Sequence, residues 1–248
     1  MTFSMKIRLG VGLVMLLIAI PVFAGQWQQI PGVARQVAVG GDGSVWILGT
    51  QRVGGGYRIL RWTGDSWKPL PGDAVKISVG SAEHIWAIND KGQIYSWQQN
   101  QWTLVPGTAT DIEVGADGTV WVTDANRVTD KASIYKWSGS KWLKQSGTGN
   151  RLGIGSERHV WMLNADNQIF HLAENDWRKM PGVAKEISVG ADGSTWMISV
   201  NTATTASNIY KWTRWGWEEQ SEWAETISVG NANTVWMTDN ENRIWRLQ

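Results

Sequence analysis

One phrase in this chain recurs so regularly that it leaves few folds open. Two alternate hydrophobic residues and a glycine are followed, six residues later, by tryptophan. The phrase reads VAVGGDGSVW to Trp46, ISVGSAEHIW to Trp86 and IEVGADGTVW to Trp121. It returns as LGIGSERHVW to Trp161, ISVGADGSTW to Trp196 and ISVGNANTVW to Trp236. Gly40, Gly80, Gly115, Gly155, Gly190 and Gly230 are therefore spaced by 40, 35, 40, 35 and 40 residues, a double repeat of 75. A second series keeps the same intervals: Trp27, Trp67, Trp102, Trp142, Trp177 and Trp217. Between the two lies a third element, RILRW, QIYSW, SIYKW, QIFHL, NIYKW or RIWRL. Three landmarks in register through six copies define a repeat protein.

Within each copy the runs are short and rich in Val, Ile, Thr, Tyr and Trp, and Asp-Gly, Pro-Gly, Asn-Asp or Lys-Gly bound them. That composition predicts four short antiparallel strands per repeat. No window keeps apolar residues at helical spacing for two turns. The expected fold class is all-β: a six-bladed β-propeller of four-stranded antiparallel blades.

The small-residue phrase ending in glycine is expected innermost, where the blades crowd the axis, and the Trp27-type strand outermost. The recurrent tryptophans then serve as plates between neighbouring blades. The last copy stops at Gln248 after its third strand, while Gln26 to Gly32 matches the fourth-strand phrase at Trp67. The N-terminal strand is therefore expected to complete the last blade and close the ring, which would leave no exposed sheet edge.

Ahead of the repeats, Lys6 and Arg8 precede a 12-residue run of apolar residues and glycine, Leu9 to Ile20, and then Pro21 to Ala24. This order is that of a secretory signal peptide cut after Ala24, residues 1–24, leaving 25–248 as one repeat domain. Twelve helical residues reach about 18 Å, short of a ~30 Å hydrocarbon core, which speaks against an N-terminal anchor. No other apolar run approaches 18 residues, so no transmembrane span is expected after signal removal. The expected location is periplasmic or extracellular. Without Lys6 and Arg8 the net charge is −1, which offers no electrostatic footprint for nucleic acid. The chain has no cysteine, so an exported protein of this kind rests on packing and hydrogen bonds alone.

The W-x-x-x-P-G-x-A, I-S-V-G-x-D-G-x-x-W and I-Y-x-W phrases together resemble tectonin repeats over residues 26–248. The resemblance implies a six-bladed propeller. It also implies binding of cell-surface glycans or bacterial lipopolysaccharide, or service as an interaction module. Two copies depart from the pattern, with Ser146-Gly147-Thr148-Gly149 and Ser221-Glu222-Trp223-Ala224 in place of Pro-Gly-x-Ala. Ligand residues do not carry over from the family, whose repeats are chiefly structural.

No nucleophile elbow, zinc-protease helix or phosphate loop occurs, so no enzyme is expected. No convergent acid–base set is legible around the axis. His84 and His159 share one slot 75 residues apart and read as polar residues near turns. Asp42-Gly43, Asp117-Gly118 and Asp192-Gly193 each offer one carboxylate, which suits a hairpin rather than a Ca²⁺ loop. Neither a metal nor a cofactor is expected.

The alternation of 40 and 35 places five extra residues between the second and third strands of alternate copies. Three long polar loops result: GTQRVGGGYR, TDANRVTDKAS and SVNTATTASN. They are expected on one face with the links between blades, which carry Arg35, Lys76, Asp111, Lys185 and Glu225. Loops on a rigid frame concentrate binding residues. Gln51, Arg52, Tyr57, Asn126, Arg127, Asp130, Asn201 and Asn208 are the candidate ligand-binding residues, amides and charges for sugar hydroxyls and Tyr57 for a sugar's C–H face. Trp215, Trp223 and Trp245 fall outside the recurrent positions, each a candidate exposed platform or core plug. The expected partners are glycans or lipopolysaccharide. The alternative is a protein partner on one propeller face.

Overall fold

A computed structural model describes residues 25–126, 131–200 and 207–248. The chain begins with β1 (Trp27–Val39), β2 (Val45–Val53), β3 (Gly56–Trp62), β4 (Trp67–Ala74), β5 (Lys76–Ser81), β6 (His84–Ile88) and β7 (Gln93–Gln98). It continues with β8 (Gln101–Val114), β9 (Val120–Asp124), β10 (Ser133–Trp137), β11 (Trp142–Thr148), β12 (Arg151–Ser156), β13 (His159–Leu163) and β14 (Gln168–Ala173). The last third comprises β15 (Asp176–Val189), β16 (Thr195–Ser199), β17 (Asn208–Thr213), β18 (Gly216–Trp223), β19 (Thr226–Asn231), β20 (Thr234–Thr238) and β21 (Arg243–Leu247). The described residues are all-β, and every described pairing is antiparallel.

The strands form three seven-stranded sheets: β19-β20-β21-β1-β2-β3-β4, β5 to β11, and β12 to β18. This corrects the expectation of six separate four-stranded blades. The reason lies in the links. β1, β8 and β15 run without interruption from the outer edge of one repeat unit into the inner position of the next. Each long strand thus serves two meanders and fuses their sheets. At the other three links the ladder stops, at Val75, at Gly149–Asn150 and at Ala224–Glu225.

The long strands bend where the register shifts between Ala34 and Gln36, Ala109 and Asp111, and Ala184 and Glu186. A bulge is how one strand changes partner and re-aims its side chains. The first half of β1 pairs with β21, Trp27 opposite Leu247 and Ile30 opposite Ile244. The second half pairs with β2, Val37 opposite Ile47.

The core lies between units rather than within one. Trp46 is 2% exposed and meets Trp97 and Trp102 of the following unit edge-on, at 5.8 and 6.5 Å. Trp86 meets Trp137 and Trp142 in the same way, and Trp161 meets Trp212 and Trp217. Trp236, near the C-terminus, meets Trp62 and Trp67 at 6.2 and 6.4 Å. Edge-to-face stacking adds about 0.5–1.5 kcal/mol per pair beyond area burial. The outer indoles also staple units together. Trp67 Nε1 donates to the Pro31 carbonyl at 2.7 Å, Trp102 to Pro71 at 2.8 Å and Trp142 to Pro106 at 2.7 Å.

The repeated glycine answers a close approach of inner strands. A methyl group at Gly80 would overlap the Gly115 carbonyl, one at Gly155 the Gly190 carbonyl, and one at Gly230 the Gly40 carbonyl. Any larger residue would force the strands apart. Successive turns are also joined through the backbone: Gly41 N–H to Gly80 O, Ala116 N–H to Gly155 O and Ala191 N–H to Gly230 O, each 2.8–2.9 Å.

Candidate functional site

Four residues before each repeated glycine the chain reads Gln36, Lys76, Asp111, Arg151, Glu186 and Thr226. Inner strands bring all six to the mouth of one axial well, a cavity of about 350 Å³ also lined by Arg35, Leu48, Tyr57, Val75 and Thr110. Deeper along the axis the space narrows to about 60 Å³ between the inner strands. At its far end Gly41, Ala116 and Ala191 converge: a Cβ on Gly41 would lie 2.8 Å from the Cβ of either alanine. The well is therefore open on the face of the inter-unit links and blocked on the other.

Alternate members of the set do different work. Gln36 Oε1, Asp111 Oδ2 and Glu186 Oε1 accept the N–H groups of Ile77, Leu152 and Ile227 at 3.0, 2.9 and 2.9 Å. Each carbonyl-type oxygen satisfies an inner-strand donor of the next unit. Lys76 pairs with Asp111 at 3.1 Å and with Glu113 at 2.7 Å. Burial works against the Lys76 ammonium, but Asp111, Glu113 and Glu186 outweigh it and raise its pKa above the ordinary lysine value. Burial also raises the Glu113 carboxyl, although Lys76 opposes that. Glu186 is pushed up to about 7, by burial first, against the pull of Lys76, the Ile227 N–H and Arg151.

These charges were not expected around the axis, and the structure corrects that reading. Lys76, Glu113, Arg151 and Glu186 do converge there, with Asp111 at the mouth. The missing signal was the slot itself: four residues before each glycine, five of six copies carry a charged or amide side chain.

The described candidate residues on the long loops line no one cavity in common. Tyr57 lies at the well mouth under Arg35, whose guanidinium sits 4.7 Å from the ring centroid, with that of Arg52 at 5.8 Å. Arg52 also pairs with Asp90 of the next unit at 2.9 Å, which ties down the first long loop. Gln51 is exposed on the same hairpin. Asn126 belongs to the third unit and donates to Thr108 Oγ1 at 3.3 Å. Asn208 opens β17, opposite Trp223, and bonds the Glu219 carboxylate. Arg127, Asp130 and Asn201 lie outside the described residues, as does the segment 1–24. Of the link residues, Lys185 pairs with Glu225 at 2.8 Å.

A second kind of hollow recurs at the outer side of the same face, where units meet. One, of about 170 Å³, is lined by Asp124 and Asn126 of the third unit, Tyr135, Trp142 and the link residues Gly107 and Thr108. The other, of about 600 Å³, holds the corresponding residues of the sixth unit: Asp239, Trp245, Trp27, Glu222 and Trp223. Asp239 accepts from Trp245 Nε1 at 3.0 Å and from Arg243 Nε at 2.6 Å. Burial opposes its charge, but these bonds and two backbone N–H groups hold its carboxyl below the usual range. Asn89 and Asn164 occupy the same slot as Asp124 and Asp239, and Tyr95 and Phe170 the aromatic slot. Units two, three, four and six thus each present an aromatic ring beside an amide or carboxylate. Trp223 is 62% exposed and Trp215 85%, while Trp245 packs partly buried beside Trp27 and Leu247.

His84 and His159 lie against Gly118 and Gly193 of the next unit, with Nδ1 3.2 and 3.1 Å from Ser81 and Ser156 Oγ. Among the described residues no three His, Asp or Glu side chains are grouped to hold a metal ion, and no helix is long and apolar enough to cross a membrane.

The tectonin domain family matches the sequence in three stretches, residues 18–99, 74–161 and 148–248. No curated protein matches it in sequence. Among solved structures the chain is similar to a gluconolactonase from Xanthomonas campestris, with a TM-score of 0.60, 15% identity, and coverage of 89% of this chain and 87% of that one. It is similar to a luciferin-regenerating enzyme, with a TM-score of 0.59, 9% identity, and coverage of 90% and 95%. A β-propeller domain from Myceliophteria thermophila gives a TM-score of 0.53, 11% identity, and coverage of 86% and 82%. At such identities the likeness concerns the propeller fold alone.

Proposed function

The chain belongs to the tectonin family, and from that premise we propose that it is an exported lectin for cell-surface glycan or lipopolysaccharide. The observation that carries this reading is the recurrence of the outer hollows. Each offers an aromatic face for sugar C–H groups beside an amide or carboxylate for hydroxyls, Tyr135 with Asp124 and Asn126, Trp245 with Asp239. Repetition matters because one shallow sugar site binds weakly, whereas several on a rigid frame raise avidity by ~10²–10⁴ on a dense glycan surface.

In this reading the three sheets close into a ring of six blades. Three features support closure: the β1–β21 pairing, the contact of Trp236 with Trp62 and Trp67, and the Val39 N–H bonded to Ser228 Oγ at 2.9 Å. Export rests on the residue order from Lys6 to Ala24. In this reading the protein acts by binding and not by catalysis, and Lys76, Asp111 and Glu113 in the well are engaged with one another.

A protein-interaction scaffold of the envelope or extracellular space is the second reading. Trp215, 85% exposed at the β17–β18 turn with Arg214 4.7 Å from its ring, favours it. A glycan and lipopolysaccharide array with the purified protein tests the two. Binding that free sugar competes away supports the lectin. A blank array from a folded, monodisperse sample would overturn it in favour of the scaffold.

A further inference from the structure

The six-residue set at the well mouth holds the same charge order twice. In units two and three a cation is followed by a carboxylate, Lys76 and then Asp111. In units four and five the order repeats at the equivalent positions as Arg151 and then Glu186. The two pairs are related by the 75-residue double repeat, yet they behave differently. Lys76 and Asp111 close on each other at 3.1 Å. Among the described residues no carboxylate lies within ion-pair distance of Arg151, and no cation within that distance of Glu186. Among the described residues Arg151 donates to the neighbouring Asn150 carbonyl, at 3.3 Å, and Glu186 accepts the Ile227 N–H. Thr226 and Gln36, the third pair of the set, carry no charge.

Two opposite charges that share a well and form no ion pair with each other make the electrostatic complement of a molecule carrying both signs. We propose that this well binds one small zwitterion of the α-amino acid type, its carboxylate on Arg151 and its ammonium on Glu186. Hydrogen bonds between ionised partners are the strong ones, and the guanidinium fork suits a carboxylate in two-pronged contact. Lys76 does not compete for the carboxylate, because Asp111 and Glu113 already hold it. Tyr57 and Val75 supply the less polar part of the lining. The ligand's side chain rests there, which favours an apolar or aromatic amino acid over glycine. At about 350 Å³ the mouth falls in the ~300–1,000 Å³ range of small-molecule sites. The block at Gly41, Ala116 and Ala191 makes it a terminal site and not a passage.

This inference is independent of glycan binding, since the outer hollows share none of these residues. The test is isothermal titration of the full chain with glycine, alanine, leucine and phenylalanine, with acetate and methylammonium as half-ligands. Leucine or phenylalanine is expected to bind once per chain, with Kd of about 1 mM or tighter. Each half-ligand is expected to bind about tenfold or more weaker. Arg151→Gln and Glu186→Gln should each weaken the amino acid about tenfold or more. Arg151→Gln should melt like the parent and Glu186→Gln no lower than the parent, since Gln keeps an oxygen for the Ile227 N–H as Gln36 does for Ile77, and both glycan-array profiles should match the parent. Failure of all four amino acids to bind saturably in the millimolar range would overturn the proposal. So would acetate or methylammonium binding as tightly as leucine, or unchanged affinity in both variants.

Discussion

The Asp42 carboxylate reaches across to the next repeat unit, where its Oδ2 accepts the Ala82 N–H at 2.8 Å. Its Oδ1 meanwhile caps its own turn, accepting from Ser44 N at 3.0 Å and Ser44 Oγ at 2.7 Å. Asp117 does the same with Glu157 N at 2.7 Å, and Asp192 with Ala232 N at 2.9 Å. The Asp-Gly turns are therefore joints between units as well as hairpins, and they recur every 75 residues.

Removing these joints should cost stability. Asp42→Ala is expected to lower unfolding free energy by about 1–3 kcal/mol, as for three lost, partly exposed hydrogen bonds. Asp117→Ala and Asp192→Ala should act alike and add, because the sites share no partner. Burial opposes the charge on all three carboxylates, but hydrogen bonds outweigh it and lower each pKa below 3.8. Their contribution is thus complete above that value and fades as pH falls through the folded-state pKa. Denaturant titration of single and triple variants at pH 7 and pH 3 checks this. Equal losses at both values would contradict it.

Deletion of Gly25–Pro31 should remove the partner of β21, which pairs with Trp27–Val33. The exposed edge and the lost Trp67 acceptor at Pro31 predict a broad, non-cooperative melt and self-association. Calorimetry with light scattering reads both. A parent-like transition would mean that this strand is dispensable.

Glu186 makes stability depend on pH in the opposite sense to the aspartates. Folding lifts its pKa from about 4.5 to about 7. Between those values the folded chain holds a proton that the unfolded chain has released, so this group lowers stability as pH rises. Lys76, Glu113 and Arg151 bear on it through charge, and Ile227 through its N–H. Glu186→Gln should flatten the stability profile from pH 5 to 7. An unchanged slope would place the titration elsewhere.

Lys76→Met should be the most damaging change at the well. It leaves Asp111, 1% exposed, and Glu113 without their shared cation. Breaking a buried pair from one side costs about 3–5 kcal/mol. Denaturant melts at pH 7 report the loss. A cost within the surface range of ~1 kcal/mol would mean that water replaces the ammonium.

Trp245→Ala and Asn126→Ala address glycan binding at two hollows in different units. Each should weaken binding to the dense array by several-fold, and the pair by more, because avidity falls with each site lost. Asn126 is exposed, so its variant should melt like the parent. Surface plasmon resonance on an immobilised array ligand measures the loss. Unaltered binding by both variants would move the sites away from these hollows.

Much of the fold is legible in the residues because its signals are local and repeated. Gly80 and Gly155 mark inner strands since no larger side chain clears the neighbouring carbonyl. Trp46 and Trp102 recur because each interface between units needs the same plates. The match of Gln26–Gly32 to the phrase at Trp67 anticipated the pairing of β1 with β21. Three sheets instead of six blades could not be read, because strand continuity through a link depends on how two meanders sit. The bulges at Gln36, Asp111 and Glu186 settle that geometry.

What the sequence determined by itself is the periodic part: the repeat, its strands, the glycines at the axis and the tryptophans between units. These follow from patterns shorter than one copy, where side-chain size and alternation fix local structure. What only the tertiary structure decided is which charges meet. Lys76 and Asp111 stand 35 residues apart, as do Arg151 and Glu186, yet one pair closes and the other stays open. Partner choice in a well depends on distances of a few ångströms between separate strands, and no periodicity encodes them.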